Sequence, residues 1–507
     1  MNPRILLGLP LPAAGMALIM LCVCYVVYYS YLHPLSKYPG PFWAKLTNFW
    51  KVYQYWSRGF HHRMLEMHEK YGPVVRIGPN DVSFSNKEAI GPIYKSGGRL
   101  MPKAQFYDAF TAFEPNLFGT RNENHHSLRR RQLAHGFSVA SLKQMEATFD
   151  IHITNLVERV RQAAETGLPL DLKSAFAFYG YDVTGQLAFD TEFSTQSRHD
   201  PTELPPLNDH FLLGNVYGSV ANLLPQIKIC TSWIPWVRSL QQSRKKLAQT
   251  ASDCVRHAIA NHKKDGPART LLTSLIDAKD PETGATLSVS EINSEAFGFL
   301  VAGSHTTGSS LTLLFYHLLS NPGVMATVVK EMNDNLISLD SGSVHEFSGL
   351  EAKLPYTMAC LRESFRISPI SAHLIPRCVN AAAGLQIGAE LIPKGTNCTI
   401  VNHVLHHNAD IWGSDHNDFE PGRFFPDSSR YDPGNASLLL HFGIGHRQCI
   451  GRNIALLSIW KILTTLLMNY KFDIIEKEEE LVMLNFGVTE KRGPLLVKVE
   501  YRVKTGE

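Results

Sequence analysis

The sequence predicts a mainly α protein with small β-sheets, preceded by one membrane-spanning helix at its N-terminus. Three observations carry this. Residues Ala13 to Leu32 contain no charge, which matches the roughly 20 residues that cross a bilayer as a helix. A second apolar run opens on Ser288-Val289-Ser290-Glu291 and closes on Asn321-Pro322-Gly323, a capping box and a stop signal at the two ends of an unusually long helix. Stretches with strand character are few and short. The 507 residues are 44% hydrophobic and 19% charged, so the chain has a large core and no disordered bulk. A net charge of +3, evenly spread, offers no basic face to a nucleic acid, and no such partner is expected.

Taken in chain order, Pro10 and Pro12 sit where a helix start tolerates proline. Tyr25, Tyr28, Tyr29 and Tyr31 crowd the far end of the run, as an interfacial belt does. The run exceeds the apolar core of about 7 to 15 residues in a cleaved signal peptide. Only Arg4 precedes it, whereas Lys37, Lys45, Lys51, Arg58 and Arg63 follow. The positive-inside bias therefore puts the bulk of the chain in the cytosol. Residues 1–33 read as the anchor and 34–42 as a stiff proline-rich hinge. Residues 43–507 show no linker and read as one body.

Within the body, His125 to Leu142 has a basic face with apolar residues at helical spacing, and Tyr181 to Phe189 reads as a short buried helix. Strands are expected at Val74 to Ile77, Asp81 to Phe84, Leu385 to Ile387, Asn397 to Val401 and Leu495 to Val499. The helix after Ser288 should be roughly 50 Å long. Eight cysteines, Cys22, Cys24, Cys230, Cys254, Cys360, Cys378, Cys398 and Cys449, form neither a CxxC pair nor a disulfide framework. That usage suits a reduced compartment.

Four groups of residues carry chemistry. Phe442-Gly443-Ile444-Gly445-His446-Arg447-Gln448-Cys449-Ile450-Gly451 places one cysteine between glycines, two residues after an arginine. Small neighbours would let a planar group approach a thiolate there. Ala302-Gly303-Ser304-His305-Thr306-Thr307-Gly308 interrupts the long helix with two glycines, each costing about 1 kcal/mol relative to alanine, so close packing or a ligand must compensate. Glu363 and Arg366 share a helix face at i, i+3 between apolar flanks, and Arg423 follows in Glu420-Pro421-Gly422-Arg423-Phe424. His126 and Arg130 share a face of the basic helix, while Arg129 and Arg131 point elsewhere and are expected in solvent.

The cysteine run, as Phe-x-x-Gly-x-Arg-x-Cys-x-Gly, resembles the haem-binding loop of the cytochrome P450 superfamily. The other three groups resemble that family's oxygen helix, its Glu-x-x-Arg and Pro-x-Arg-Phe elements, and its His-x-x-x-Arg pair, in family order. The resemblance implies the cytochrome P450 fold and a haem-thiolate monooxygenase, most like fungal microsomal members. Haem b would be held by the thiolate of Cys449 as axial ligand to iron, the arrangement that favours O–O cleavage. His126, Arg130, Arg377 and Arg447 would bind the propionates. Thr306 would hydrogen-bond the oxygen under activation and help deliver protons. The family's acid before that threonine is here His305, which could relay a proton but cannot serve as a fixed anion. Glu363, Arg366 and Arg423 would form a buried triad that holds the cysteine loop.

Further implications are electrons from NADPH through a separate NADPH-cytochrome reductase, with cytochrome b5 as a second donor. Arg452, Lys461 and the basic helix would steer the reductase to the cysteine side. The resemblance also implies a single-pass endoplasmic reticulum protein facing the cytosol. Its substrate would be a small apolar metabolite, on the pattern of fungal secondary metabolism. The pocket would be drawn from Phe106 to Phe118, Phe297 to Ala302, Ile370 to Leu374 and Phe486 to Val488, with Ser371 and His373 as polar fixing points. Two other readings fit the same residues: a reductase-independent haem-thiolate isomerase or dehydratase, and a non-catalytic membrane haem-binding protein.

Overall fold

The computed structural model describes residues 11–262, 270–280, 283–337, 343–373, 376–475 and 480–502; Arg4, Pro10 and Leu374 lie outside the described residues. A helix over Leu11–Val27 continues through a π turn over Tyr28–Leu32. Within the apolar span Pro12–Leu32, an 18-residue window has a mean hydropathy of 1.9 and no buried residue. An all-round apolar helix with no protein cover needs another apolar medium, as lipid provides.

The proline-rich segment after the anchor does not hang free. Proline-rich backbone makes no internal hydrogen bonds, so the apolar side chains between its prolines can pack elsewhere. Leu35 and Tyr38 are buried in a cluster with Val82, Phe84, Ile392 and Trp412. Lys37 and Tyr38 both donate to Glu390, at 2.7 and 2.9 Å. Arg76 donates to the Tyr29 carbonyl at 2.8 Å, and the Tyr25 hydroxyl to the Leu46 carbonyl at 2.7 Å.

Among the described residues the body is helical with four small sheets. β1 (Val74–Gly78) pairs antiparallel with β2 (Asp81–Phe84). β2 runs parallel to β7 (Asn397–Ile400), which pairs antiparallel with β4 (Arg377–Cys378). β3 (Leu170–Asp171), β11 (Leu496–Tyr501) and β8 (Tyr470–Ile474) form a second sheet in that order. Two hairpins complete the set, β5 (Leu385–Ile387) with β6 (Glu390–Ile392), and β9 (Met483–Asn485) with β10 (Thr489–Lys491). The five expected strands are all present to within a residue or two. The missed ones are two to five residues long, too short to show a period.

The long central helix runs over Val289–Ser320, 32 residues or roughly 48 Å. Its capping box forms as expected: Ser288 accepts from the Glu291 amide, and the Glu291 carboxylate accepts from the Ser288 amide. Leu172–Phe189 lies along it as a second helix, and the Tyr181 to Phe189 stretch is only the latter part of this longer element. The expected helix from His125 splits into Glu123–Ala134 and Val139–Thr166. Ser138 makes the break, because its hydroxyl accepts from the Ser141 amide and caps the second helix.

The glycines of the central helix are explained by this pairing. A Cβ on Gly308 would lie 2.7 Å from the Phe176 carbonyl oxygen, and one on Gly303 would lie 2.6 Å from Thr184 Oγ1. Reciprocally, a Cβ on Gly180 would lie 2.9 Å from the Ser304 carbonyl oxygen. Close backbone approach is what offsets their helix-propensity cost. The largest core cluster joins these two helices to Val139–Thr166, Pro355–Ile367 and Arg452–Asn469, with Trp460 fully buried among them.

Candidate haem-thiolate site

The cysteine loop enters as a tight turn. Gly443 and Gly445 have φ of 68° and 75°, the left-handed region that suits glycine. A Cβ on Gly445 would also meet the Tyr94 carbonyl oxygen at 2.8 Å. The Cys449 amide donates to the Phe442 carbonyl at 2.9 Å, and the Gln448 amide to that of Gly445 at 3.0 Å. Phe442 packs edge-on to Phe365, while His441 stacks on Phe365 at 3.8 Å. Three residues beyond Cys449 the helix Arg452–Asn469 begins. Cys449 retains accessible surface, yet protein crowds it closely enough that burial pushes its thiol up. The Gly451 amide, the Arg130 charge and the Arg452 amide act in the opposite sense. Donors aimed at sulfur are what a ligating thiolate requires.

Behind the loop lies the triad. Arg366 Nε and Nη2 donate to Glu363 at 2.7 Å each, and Arg423 Nε stands 3.5 Å from the same carboxylate. All three are buried. The remaining donors of Arg366 reach the carbonyls of His406, His416 and Asp418. Arg423 reaches the carbonyls of Trp412 and Asp415. Removing one member of such a buried pair costs about 3–5 kcal/mol.

Facing the loop is the middle of the central helix. Ile450 and Ile454 pack on the cluster that contains Phe297, Leu300 and Val301. Ala302, in the middle of the helix, keeps an exposed surface between buried Val301 and Ser304. The Thr306 hydroxyl donates to the Ala302 carbonyl at 2.9 Å, loosening the helix there as back-bonding threonines do. His305 turns to another side. Its Nε2 meets Glu490 Oε2 at 2.9 Å, and Nδ1 lies 3.4 Å from the Ser309 hydroxyl.

The four expected propionate partners separate into two roles. Arg130 Nη1 donates to the Gln448 carbonyl at 2.7 Å, so in this arrangement it braces the cysteine loop. Arg377 and Arg447 are directed inward. Arg447 donates to the Thr120 carbonyl at 3.1 Å and to Glu123 at 2.7 Å, leaving Nε unpaired. Arg377 leaves Nε and Nη1 buried without partners, its guanidinium 5.8 Å from the Tyr94 ring centre. His126 is buried with Nδ1 unpaired. Burial, with Arg447 and Lys103 close by, holds its imidazole down to about 3, so at neutral pH it is a neutral donor and not a cation.

Lys103 is a member that sequence reasoning missed. It is buried, donates to the Phe118 carbonyl, and lies 4.2 Å from the Tyr107 ring centre. Burial and the charges of Arg447 and Arg377 drive its ammonium well below the usual lysine range, with Glu123 alone opposing. Nothing local marks it. It pairs with Arg377 through an isolated antiparallel bridge across a long sequence separation.

Two expectations about charge are corrected. Arg129 is buried and not solvated: it pairs with Glu291 at 2.8 Å and Glu295 at 3.3 Å, at the start of the central helix. Lys461 cannot steer a partner, because it is buried between Glu146 and Asp150. Arg131 and Arg452 are exposed. Of the expected pocket residues, Phe106, Phe110, Phe297 and Phe486 are buried in core clusters, and the His373 ring is tied to the Tyr55 hydroxyl at 3.3 Å.

One more cluster has ligand-type atoms. His61, His62 and His403 bring ring nitrogens within 4.8 Å of one another. Metal–nitrogen bonds of about 2.0–2.1 Å put ligand nitrogens roughly 3.4 Å apart, so the set is wider than one ion needs. The rings pack at 3.9 to 5.1 Å, and burial first, then neighbouring imidazoles, keep His61 and His403 neutral. They are packed aromatic surface.

These residues fit a haem. Buried Arg377 and Arg447 keep unpaired guanidinium nitrogens beside Lys103, whose ammonium their charges disfavour, and among the described residues Glu123 is the acid that opposes them. Buried charge of one sign needs a counter-charge, and a haem brings two carboxylates. A mainly helical body with a donor-braced cysteine beneath a glycine- and threonine-bearing helix defines the haem-thiolate class. Residues 38–499 match the family described as Cytochrome P450, and the chain belongs to that family. It is a cytochrome P450 monooxygenase.

Similar proteins are fungal. The chain is 28% identical over 507 residues to cytochrome P450 monooxygenase gsfF of Penicillium aethiopicum, covering 95% of this chain and 96% of that one. It is 28% identical over 486 residues to benzoate 4-monooxygenase bphA of Aspergillus niger (91% and 92%). It is 27% identical over 470 residues to pisatin demethylase of Fusarium vanettenii (88% and 85%).

Proposed function

We propose that this monooxygenase oxidises a small apolar metabolite in fungal secondary metabolism while anchored in the endoplasmic reticulum membrane, its body in the cytosol. The observation that carries the reading is the donor-braced Cys449, in a segment that packs against the central helix bearing Thr306, joined in one chain to an unburied apolar anchor. Two relatives named for benzoate and pisatin support a small organic substrate, and the anchor supports a membrane setting. Monooxygenases of this family generally need a redox partner. We assign that role to NADPH-cytochrome reductase with cytochrome b5, and Arg131 and Arg452 are the exposed cations on the cysteine side that could steer them.

When bound, haem supplies the oxygen and electron-transfer chemistry. Cys449 would be its thiolate ligand, and Arg130 and the Gly451 and Arg452 amides favour the ionised sulfur against the effect of burial. The triad fixes the loop from behind. Arg377, Arg447 and Lys103 would hold the propionates, and neutral His126 would donate to them. Thr306 would offer the hydroxyl of the central helix that moves protons. The test is to feed candidate apolar metabolites to membranes that carry the protein with its reductase. A product heavier by one oxygen atom, or shortened by oxidative dealkylation, is expected. Failure to oxidise any small apolar compound despite an intact thiolate spectrum would overturn the substrate class.

A further inference from the structure

The residue before Thr306 is an imidazole where the family pattern has an acid, and the fold delivers an acid to it from elsewhere. His305 Nε2 meets Glu490 Oε2 at 2.9 Å, across 185 positions of sequence. The other oxygen, Oε1, takes Lys173 Nζ at 3.1 Å. Lys173 also donates to the Lys491 carbonyl at 2.6 Å, which fixes it against β10. Three elements therefore converge on one carboxylate: the central helix, its partner helix Leu172–Phe189, and the last hairpin.

We propose that His305 and Glu490 together are the proton-supplying group of this enzyme, with Lys173 as a positioning residue that holds the second oxygen of the carboxylate. This rests on the monooxygenase reading above and deepens it. The chemistry balances with solvent water as the proton source. A proton enters from water at the solvent-touched edge of the pair, and the imidazole takes it up and releases the one on its other ring nitrogen. The carboxylate stabilises the imidazolium formed in between, and the released proton passes through water to the Thr306 hydroxyl. Nε2 faces Glu490, and Nδ1 faces the Ser309 hydroxyl one turn along. The neighbour in sequence, Thr306, carries a hydroxyl on the same helix turn, donated to the Ala302 carbonyl.

A purely structural clamp explains the contacts less well. Lys173 alone would satisfy the buried carboxylate, and an amide at position 305 would make the same hydrogen bond without a titrating group. Both partners also keep some contact with solvent, at 14% and 13% of side-chain surface, which a proton entry requires. Burial would raise Glu490, but the His305 hydrogen bond and charge, Lys173 and Asn208 together hold it near 2. The carboxylate is thus a permanent anion, the element that His305 by itself lacks.

The test uses the full-length protein with purified reductase and NADPH, in water and in deuterium oxide. Variants are His305→Gln, His305→Phe, Glu490→Gln and Lys173→Met, each first checked for an intact thiolate carbonyl spectrum. That spectrum separates failure of this proposal from failure of the haem-thiolate reading. Expected are a roughly tenfold shift of NADPH-derived electrons toward hydrogen peroxide in His305→Phe and Glu490→Gln, and a changed solvent isotope effect. The pH dependence of the rate should change in His305→Gln. The double variant His305→Asp with Glu490→Gln, which moves the acid onto the helix, should restore the wild-type isotope effect. Melting temperatures of the single and double variants read the His305–Glu490 coupling independently of turnover. Altered melting with unchanged isotope effect, pH profile and peroxide yield would overturn the proposal and leave a structural tie.

Discussion

Arg377 shows how a single residue records the group it serves. It is buried, its Nε and Nη1 have no partner, and its nearest neighbours include two further cations. In a folded protein such a group costs free energy until an anion arrives. Arg377→Met should therefore loosen haem. A lost charge-assisted hydrogen bond of about 1.5–3 kcal/mol corresponds to at least about tenfold faster haem transfer to a scavenger globin. Transfer at the wild-type rate would remove Arg377 from the propionate set. Cys449 was readable because it lies in a short run with its own chemistry, and Arg377 through the family resemblance. Lys103 and Glu490 were not readable, since each acts on a partner that only the fold brings near.

At the scale of elements, the pairing of the central helix with Leu172–Phe189 decides what the glycines mean. Composition alone left packing and ligand approach as alternatives, and the structure assigns Gly303, Gly308 and Gly180 to packing. Their cases differ in what a methyl group would strike. At Gly308 it meets the Phe176 backbone carbonyl, which cannot rotate away, whereas at Gly303 it meets a threonine side chain that can. Gly308→Ala gains about 1 kcal/mol of helix propensity but incurs about 1–3 kcal/mol of overpacking strain. A lower melting temperature is expected for Gly308→Ala than for Gly303→Ala. Equal or raised stability in Gly308→Ala would mean that the helices are not so close. Long capped elements were legible in sequence because caps and periodicity are local. Two-residue strands and the Ser138 break were not, because pairing partners and a single side-chain bond decide them.

Across the whole molecule, buried neutral histidines set the response to acid. His317, His406, His407 and His126 are held down to about 3, and His68 and His373 to about 4, burial being the first cause in each. Below pH 6.5 the unfolded chain takes up protons that the folded chain refuses, so stability is flat above that pH and falls as pH drops toward 3. A fully buried histidine of this kind can cost up to about 2 kcal/mol at pH 5. Glu490 and Asp415, held near 2, contribute stability that is lost only below about pH 4.5, as they approach their folded values. The melting temperature should therefore fall between pH 7 and 5, before carboxylates matter. A flat profile over that interval would contradict the assignment of neutral imidazoles.

At the same scale, anchor, clamped hinge and helical body converge on one cysteine out of eight. The reduced carbonyl spectrum of the purified protein reads that convergence most directly. Wild type should give the red-shifted Soret band of a thiolate-ligated ferrous carbonyl, and Cys449→Ala should lose it while the Arg377 variant keeps it on whatever haem it retains. A wild-type band of the imidazole type, or an unchanged thiolate band in Cys449→Ala, would contradict Cys449 as the ligand.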